Sequence, residues 1–244
     1  MELEVRDLSV LIGGLQILRN LNLAISSGVT AVIGPNGAGK TTLLKAISGL
    51  ISFQGVVKLF GRDIASLSRA EVARLVTYVP PVIDALPDVT VGDLILSDYM
   101  VDRGLLNHYV SLLKLGPLLA RRVGLVSSGE LSRALLARGL SRDSRAIALD
   151  EPLSHIDIRF QLTLLEHLKV LGREGRVVLI ASNQLSPLLN HVDHVLVLNN
   201  GEAVFTGSTA DLLKTKILDD VYGVEFEVIT GNGFVDLLPK KPLQ

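Results

Sequence analysis

The sequence predicts an α/β fold: a parallel-sheet core, an antiparallel β region and an inserted helical subdomain. Three observations carry that prediction. The apolar run Val29-Thr30-Ala31-Val32-Ile33 leads into Gly34-Pro35-Asn36-Gly37-Ala38-Gly39-Lys40-Thr41-Thr42, and helix-forming residues follow to Ile47. Strand, glycine-rich loop and helix in that order are the context of a phosphate-binding loop. Strand-like and helix-like stretches alternate again from about 129 to 180, as in a parallel sheet. Between the two, from about 82 to 126, the periodicity is helical.

Taken in order, residues 1–6 alternate polar and apolar like an edge strand. Residues 2–33 read as short β segments punctuated by Gly13-Gly14 and Ser26-Ser27-Gly28. In the glycine-rich loop, small residues let backbone N–H groups converge on anionic oxygens, and the helix start adds positive partial charge. Lys40 is placed to reach the terminal phosphates and Thr41 to offer its hydroxyl to Mg²⁺. A pattern with four fixed positions recurs by chance in roughly one chain of this length in a hundred, so the loop points to a nucleotide. A short strand, Val56-Val57-Lys58-Leu59, comes next. Ser68-Arg69-Ala70-Glu71 has capping-box spacing and opens a helix. The strand Leu75-Val76-Thr77-Tyr78-Val79 is stopped by Pro80-Pro81. The helical insertion carries Leu94, Ile95, Leu105, Leu106, Leu112, Leu113 and Leu115 as its apolar positions.

A helix over about 129–142 leads to the strand Ala146-Ile147-Ala148-Leu149, and a helix over about 158–172 leads to Val177-Val178-Leu179-Ile180. Asn200-Gly201 between two apolar runs is a hairpin signal. The end holds short helices and a strand pair around Gly231-Asn232-Gly233. Asp150-Glu151 closes an apolar strand, and a phosphate loop needs such a strand beside it because Mg²⁺ requires carboxylate help. Asp150 is the candidate metal holder and Glu151 the candidate general base toward an attacking water. Ser127-Ser128-Gly129-Glu130 opens a helix. It reads equally as an ordinary N-cap and as a second phosphate-reading surface.

With 48% hydrophobic and 20% charged residues over 244 positions, the chain has material for one large domain with a subdomain. Twenty-four Lys and Arg against 25 Asp and Glu leave no basic excess, which argues against nucleic acid as a partner. Without cysteine, disulfides and thiolate metal sites are excluded. The first residues do not resemble a signal peptide, and no stretch approaches 18 uncharged apolar residues. The expectation is a soluble intracellular chain.

The order phosphate loop, helical insertion, Ser-Ser-Gly-Glu, Asp150-Glu151-Pro152 and Ser154-His155-Ile156-Asp157 resembles the nucleotide-binding subunits of ABC transporters. The resemblance implies a P-loop NTPase (RecA-like) core over 1–81 and 128–244, with the helical subdomain at 82–127. It implies ATP and Mg²⁺, and a homodimer or heterodimer in which the signature residues Ser127, Ser128, Gly129 and Glu130 of one copy close on ATP held by the loop of another. Ser154 and Asp157 match the loop that crosses that dimer. The usual signature is Leu-Ser-Gly-Gly; Val126 replaces the Leu here and Ser128 the first Gly. Three further positions depart from the pattern. Pro81 stands where the family places a Gln that touches Mg²⁺ and water. Asn183 stands where a His contacts the γ-phosphate. Ile12 stands near the place of the aromatic that stacks on adenine.

Gly61-Arg62-Asp63-Ile64, His155-Ile156-Asp157-Ile158 with Gln161, and residues 218–224 are similar to importers of the iron-siderophore, haem or cobalamin type. The implied setting is the cytoplasmic face of a cell membrane, on transmembrane permease subunits and indirectly with an extracytoplasmic solute-binding protein. Alternatives are an ATP-binding, hydrolysis-impaired partner of an active homologue, and an ABC protein outside transport.

Overall fold

The computed structural model describes residues 1–81, 88–231 and 234–243. The chain runs β1 (Leu3–Ile12), β2 (Leu15–Ile25), β3 (Gly28–Ile33), α1 (Lys40–Ile47), β4 (Gln54–Leu59), β5 (Arg62–Asp63), α2 (Arg69–Leu75) and β6 (Val76–Val79). It continues through α3 (Val91–Leu96), α4 (Arg103–Leu112), α5 (Ser128–Leu140), β7 (Ala146–Asp150), α6 (Ile158–Arg173), β8 (Val177–Ala181) and α7 (Leu185–Leu189). It ends with β9 (His194–Asn199), β10 (Glu202–Gly207), α8 (Thr209–Leu212), α9 (Ile217–Tyr222), β11 (Val224–Gly231) and β12 (Phe234–Pro242).

A six-stranded sheet in the order β10-β9-β3-β8-β7-β6 forms the centre, parallel except for the β9–β10 hairpin. Every residue of β3, β7 and β8 is buried, which is why those strands read as unbroken apolar runs. Alternate side chains sort into two cores. Ala31, Ile33, Ile147, Leu149, Val178 and Ile180 face α5 and α6, where Leu164, Leu165, Leu168 and Leu171 pack. Val32, Ala146, Ala148, Leu179 and Ala181 face α1 and the four-stranded sheet.

That second sheet is antiparallel, in the order β2-β1-β4-β5. The alternating start of the chain is therefore not an edge: Leu3 pairs with Ile25 on one side and Leu59 on the other. Its alternation reflects a sheet with one face on the core and one in solvent, a pattern that interior and edge strands share. The short segments expected before residue 33 merge into strands of 10 and 11 residues, joined by a tight turn at Gly13-Gly14 where φ is 57° and 81°.

The capping box predicted at Ser68–Glu71 starts α2, and β6 begins one residue later than expected, at Val76. The helical segment was expected from 82, but 82–87 lie outside the described residues; among these, it begins with α3 behind a Thr90–Asp93 capping box. Leu94, Ile95, Leu106, Leu113 and Leu115 are buried there, while Leu105 and Leu112 pack at the margin. Gly139 lets α5 press on β6, since a β-carbon there would meet Val79 Cγ2 at 2.3 Å.

Asn200 and Gly201 turn β9 into β10 with φ of 47° and 81°, the left-handed pair that a two-residue hairpin demands. The terminal pair expected around Gly231 is β11–β12, in which Gly231 pairs with Phe234; residues 232–233 lie outside the described part. No helix among the described residues is long and apolar enough to cross a membrane.

Candidate functional site

The chemistry gathers at the carboxyl ends of the parallel strands. β3 delivers the chain into the loop at Gly34, whose φ of 149° and close approach to the Leu198 carbonyl oxygen (2.1 Å from an added β-carbon) admit no side chain. At the far end Gly39 sits at the head of α1 without any side-chain cap. The first amides of α1 are thus left for an anion, with the helix dipole behind them. A cleft of about 630 Å³ opens over the loop, lined by residues 36–42 with Ile17, Glu151, Ser154, Asn183 and Gln184. Pro35 lies behind this lining and contributes its carbonyl oxygen instead.

Lys40 is 8% exposed. Its ammonium donates to the Gly34 carbonyl at 2.7 Å, the Pro35 carbonyl at 3.1 Å and Asn183 Oδ1 at 2.7 Å. Burial holds its pKa below the usual lysine value, opposed by the Glu151 and Asp150 carboxylates. The lysine is folded over its own loop and within reach of whatever fills the cleft.

Asp150 ends β7, one strand removed from the loop: β8 stands between β3 and β7. The expectation of an adjacent strand is corrected by this order. Thr41, at the start of α1, bridges the gap by donating its hydroxyl to Asp150 Oδ1 at 3.1 Å. Tyr78, from β6 on the other side, donates to Asp150 Oδ2 at 2.8 Å. Burial, together with the Asp150 charge, lifts the Tyr78 phenol far above its ordinary pKa, so it stays a donor. Sequence reasoning missed Tyr78. The only local signal was a tyrosine flanked by the apolar residues of an otherwise buried strand.

Glu151 follows in a left-handed conformation, φ 51°, and its N–H donates to the Ala181 carbonyl at 2.8 Å. This strained turn lifts the carboxylate off the strand toward the cleft. Burial raises the Glu151 pKa, opposed chiefly by the Asn183 N–H, which donates to Oε2 at 3.3 Å, and by Lys40. Ser154 Oγ lies 3.5 Å from the same oxygen. Asn183, in the loop after β8, also donates Nδ2 to Asn36 Oδ1 at 2.9 Å. It therefore touches the phosphate loop, the lysine and the carboxylate at once. Pro81 follows β6 half-buried and offers no side-chain donor or acceptor.

The Ser127 stretch sits apart from this cleft. Ser127 and Ser128 are exposed, Gly129 and Glu130 half-buried. Ser127 caps α5 reciprocally: its hydroxyl accepts from the Glu130 N–H at 3.2 Å, and Glu130 Oε2 accepts from the Ser127 N–H at 2.8 Å. These bonds satisfy the helix start and leave the serine pair facing outward. Asp157 stands exposed at the head of α6 without a capping bond. Ile12 is 50% exposed at the end of β1 and does not line the cleft. The apolar side chain that does is Ile17, five residues on in β2, which no sequence signal marked.

The oxygen set fits a small hard cation. Thr41 Oγ1 and Asp150 Oδ1 share one hydrogen bond, so a single ion can reach both. Among the described residues no three His, Cys, Asp or Glu side chains converge. A protein cage is thus missing, and Mg²⁺ held through one carboxylate, one hydroxyl and phosphate oxygens needs none.

The ABC transporter family profile matches residues 18–154. Among curated proteins, the chain is 31% identical over 240 residues to a hemin import ATP-binding protein of Chelativorans sp. (strain BNC1), covering 93% of both chains. It is 28% identical over 239 residues to a petrobactin import ATP-binding protein of Bacillus subtilis (strain 168), covering 93% of this chain and 95% of that one. The fold superimposes on a nucleotide-free ATP-binding cassette from an ABC transporter with TM-score 0.79 at 22% identity, covering 91% and 98% of the two chains. With the profile matching more than half of its length, the chain belongs to the ABC transporter family.

Proposed function

We propose that this chain is the ATP-hydrolysing subunit of an importer whose cargo is a metal chelate such as haem or an iron-siderophore. One observation carries the reading: Lys40, Asn36, Asn183, Glu151 and Thr41 line a single cleft above a phosphate loop, with buried Asp150 accepting from Thr41. The hemin and petrobactin importer relatives, aligned over nearly the whole chain, support the cargo class.

The loop amides and Lys40 bind the triphosphate, and the apolar Ile17 side chain lies where the nucleotide enters. Thr41 and Asp150 hold Mg²⁺, which when bound neutralises phosphate charge. Glu151, made a stronger base than an exposed carboxylate by burial, orients a water and accepts its proton. Asn183 holds Lys40 and Glu151 in register and can donate to a terminal phosphate oxygen. Such chemistry is dominated by positioning and charge neutralisation. Two cassettes, identical or homologous, sandwich two nucleotides, each completed by Ser127, Ser128 and Gly129 of the partner. Ser154 and Asp157 line the seam. The pair sits on permease subunits at the cytoplasmic face, served by a solute-binding protein.

The test is ATP turnover by the purified chain, then by its complex with the neighbouring permease in vesicles loaded to report uptake of haem or a ferric siderophore. ATP-dependent uptake that stops with Glu151→Gln is expected. Turnover independent of Glu151 overturns the assignment of the base, and uptake of neither chelate overturns the cargo.

A further inference from the structure

The segment from α9 to β12 lies outside the span matched by the family profile, yet it reaches into the nucleotide site. Tyr222, the last residue of α9, accepts a hydrogen bond at its hydroxyl from the Gly34 N–H at 2.9 Å, across 188 positions of sequence. Gly34 is buried and opens the phosphate loop, and its carbonyl accepts from Lys40. Burial pushes the Tyr222 pKa up to about 12, with the Gly34 bond pulling down and Glu151 adding to the rise, so the phenol keeps its proton.

The tyrosine is itself held. Its ring meets Phe226 of β11 edge-on at 6.0 Å. Gly223, at φ 64°, turns the chain from α9 into β11. Buried Asp219 of α9 accepts from the Phe226 N–H at 3.2 Å. At the other end, Asn190 brackets Val235 of β12, donating to its carbonyl and accepting from its N–H, both at 2.6 Å. Asn190 closes α7, the helix that follows Asn183. The α9 helix and the terminal hairpin together therefore span from the first residue of the phosphate loop to the helix behind Asn183.

We infer that Tyr222 is a positioning residue for nucleotide binding, fixing the start of the phosphate loop, and that the hairpin is the brace that holds it there. Without the hydroxyl, a buried N–H lacks its acceptor and the loop spends part of its time out of the binding geometry. Apparent affinity falls by that fraction. The inference rests on the reading of the loop as an ATP site.

The experiment is calorimetric titration of the full chain with ATP and with ADP, each with Mg²⁺, comparing wild type with Tyr222→Phe. This variant keeps the ring against Phe226 and removes only the hydroxyl. Kd is expected to rise roughly three- to tenfold for both nucleotides, with kcat at saturating ATP retained. A purely structural tyrosine would lower the melting temperature and leave Kd unchanged, and that result overturns the inference. Should Tyr222→Phe not fold, Phe226→Leu keeps the hydroxyl but frees the ring, and unchanged Kd there overturns it equally. Wild-type protein that binds neither nucleotide removes the ATP site itself, a separate failure visible before any variant is made.

Discussion

Gly129 lies so close to His155 that a β-carbon on it would meet the His155 carbonyl oxygen at 2.2 Å. The start of α5 and the loop after β7 are locked backbone to backbone, and no rotamer change can relieve the clash. Gly129→Ala should therefore cost about 1–3 kcal/mol of stability and displace residues 154–157. Thermal melts and nucleotide titration check this: the melting temperature should fall, ATP-driven pairing of cassettes should be lost, and ATP affinity of the single chain should persist.

Glu151→Gln separates chemistry from stability. Removing a general base should lower turnover by roughly 10²–10⁴-fold. Because burial raises the folded-state pKa above 4.5, protonated Glu151 favours the fold, and that contribution is lost as pH rises through the shifted value. Above that shifted value the wild-type carboxylate is an ionised, half-buried group, so there the glutamine variant should melt no lower than wild type. The same shift places the acid limb of the wild-type pH–rate profile above the ordinary carboxylate range, and the variant should lack that limb.

Tyr78→Phe tests the grip on Asp150. The phenol supplies the bond to Oδ2 while Thr41 supplies the bond to Oδ1. Losing a hydrogen bond to a charged group is worth about 1.5–3 kcal/mol at most in this half-buried position. The Mg²⁺ concentration for half-maximal turnover should rise about tenfold, with ATP binding in the absence of metal unaltered. An unchanged metal titration would show that Thr41 alone orients the carboxylate.

Asn183→Ala removes one of the three acceptors of Lys40 and the donor to Asn36 together. Turnover should drop by roughly 10²–10³-fold, the scale of one lost preorganised contact to developing charge. Kd for ATP should move little, because the loop amides remain. Single-turnover kinetics beside equilibrium titration distinguish the two.

Much of the site was legible wherever the chemistry is local. Residues 34–42, the Ser68 and Ser127 capping boxes and the Asn200-Gly201 turn each act within a few positions, so spacing alone reveals them. What escaped was non-local. Tyr78 reaches Asp150 over 72 positions and Tyr222 reaches Gly34 over 188, contacts that no periodicity encodes. The edge-strand reading of β1 failed for a related reason: alternation tells which face is buried, not how many neighbours a strand has. Likewise the separation of the loop from Asp150 by β8 is a matter of strand order, set by crossovers and not by the residues of either motif.

The amide of Asn183 has one further consequence. It presents a donor and an acceptor side by side in one plane, and neither gains nor sheds a proton at any physiological acidity. An imidazole in that place would change charge near pH 6.5. The contacts that Asn183 makes with Lys40 and Asn36 therefore carry no pH switch of their own, whatever acid limb Glu151 imparts.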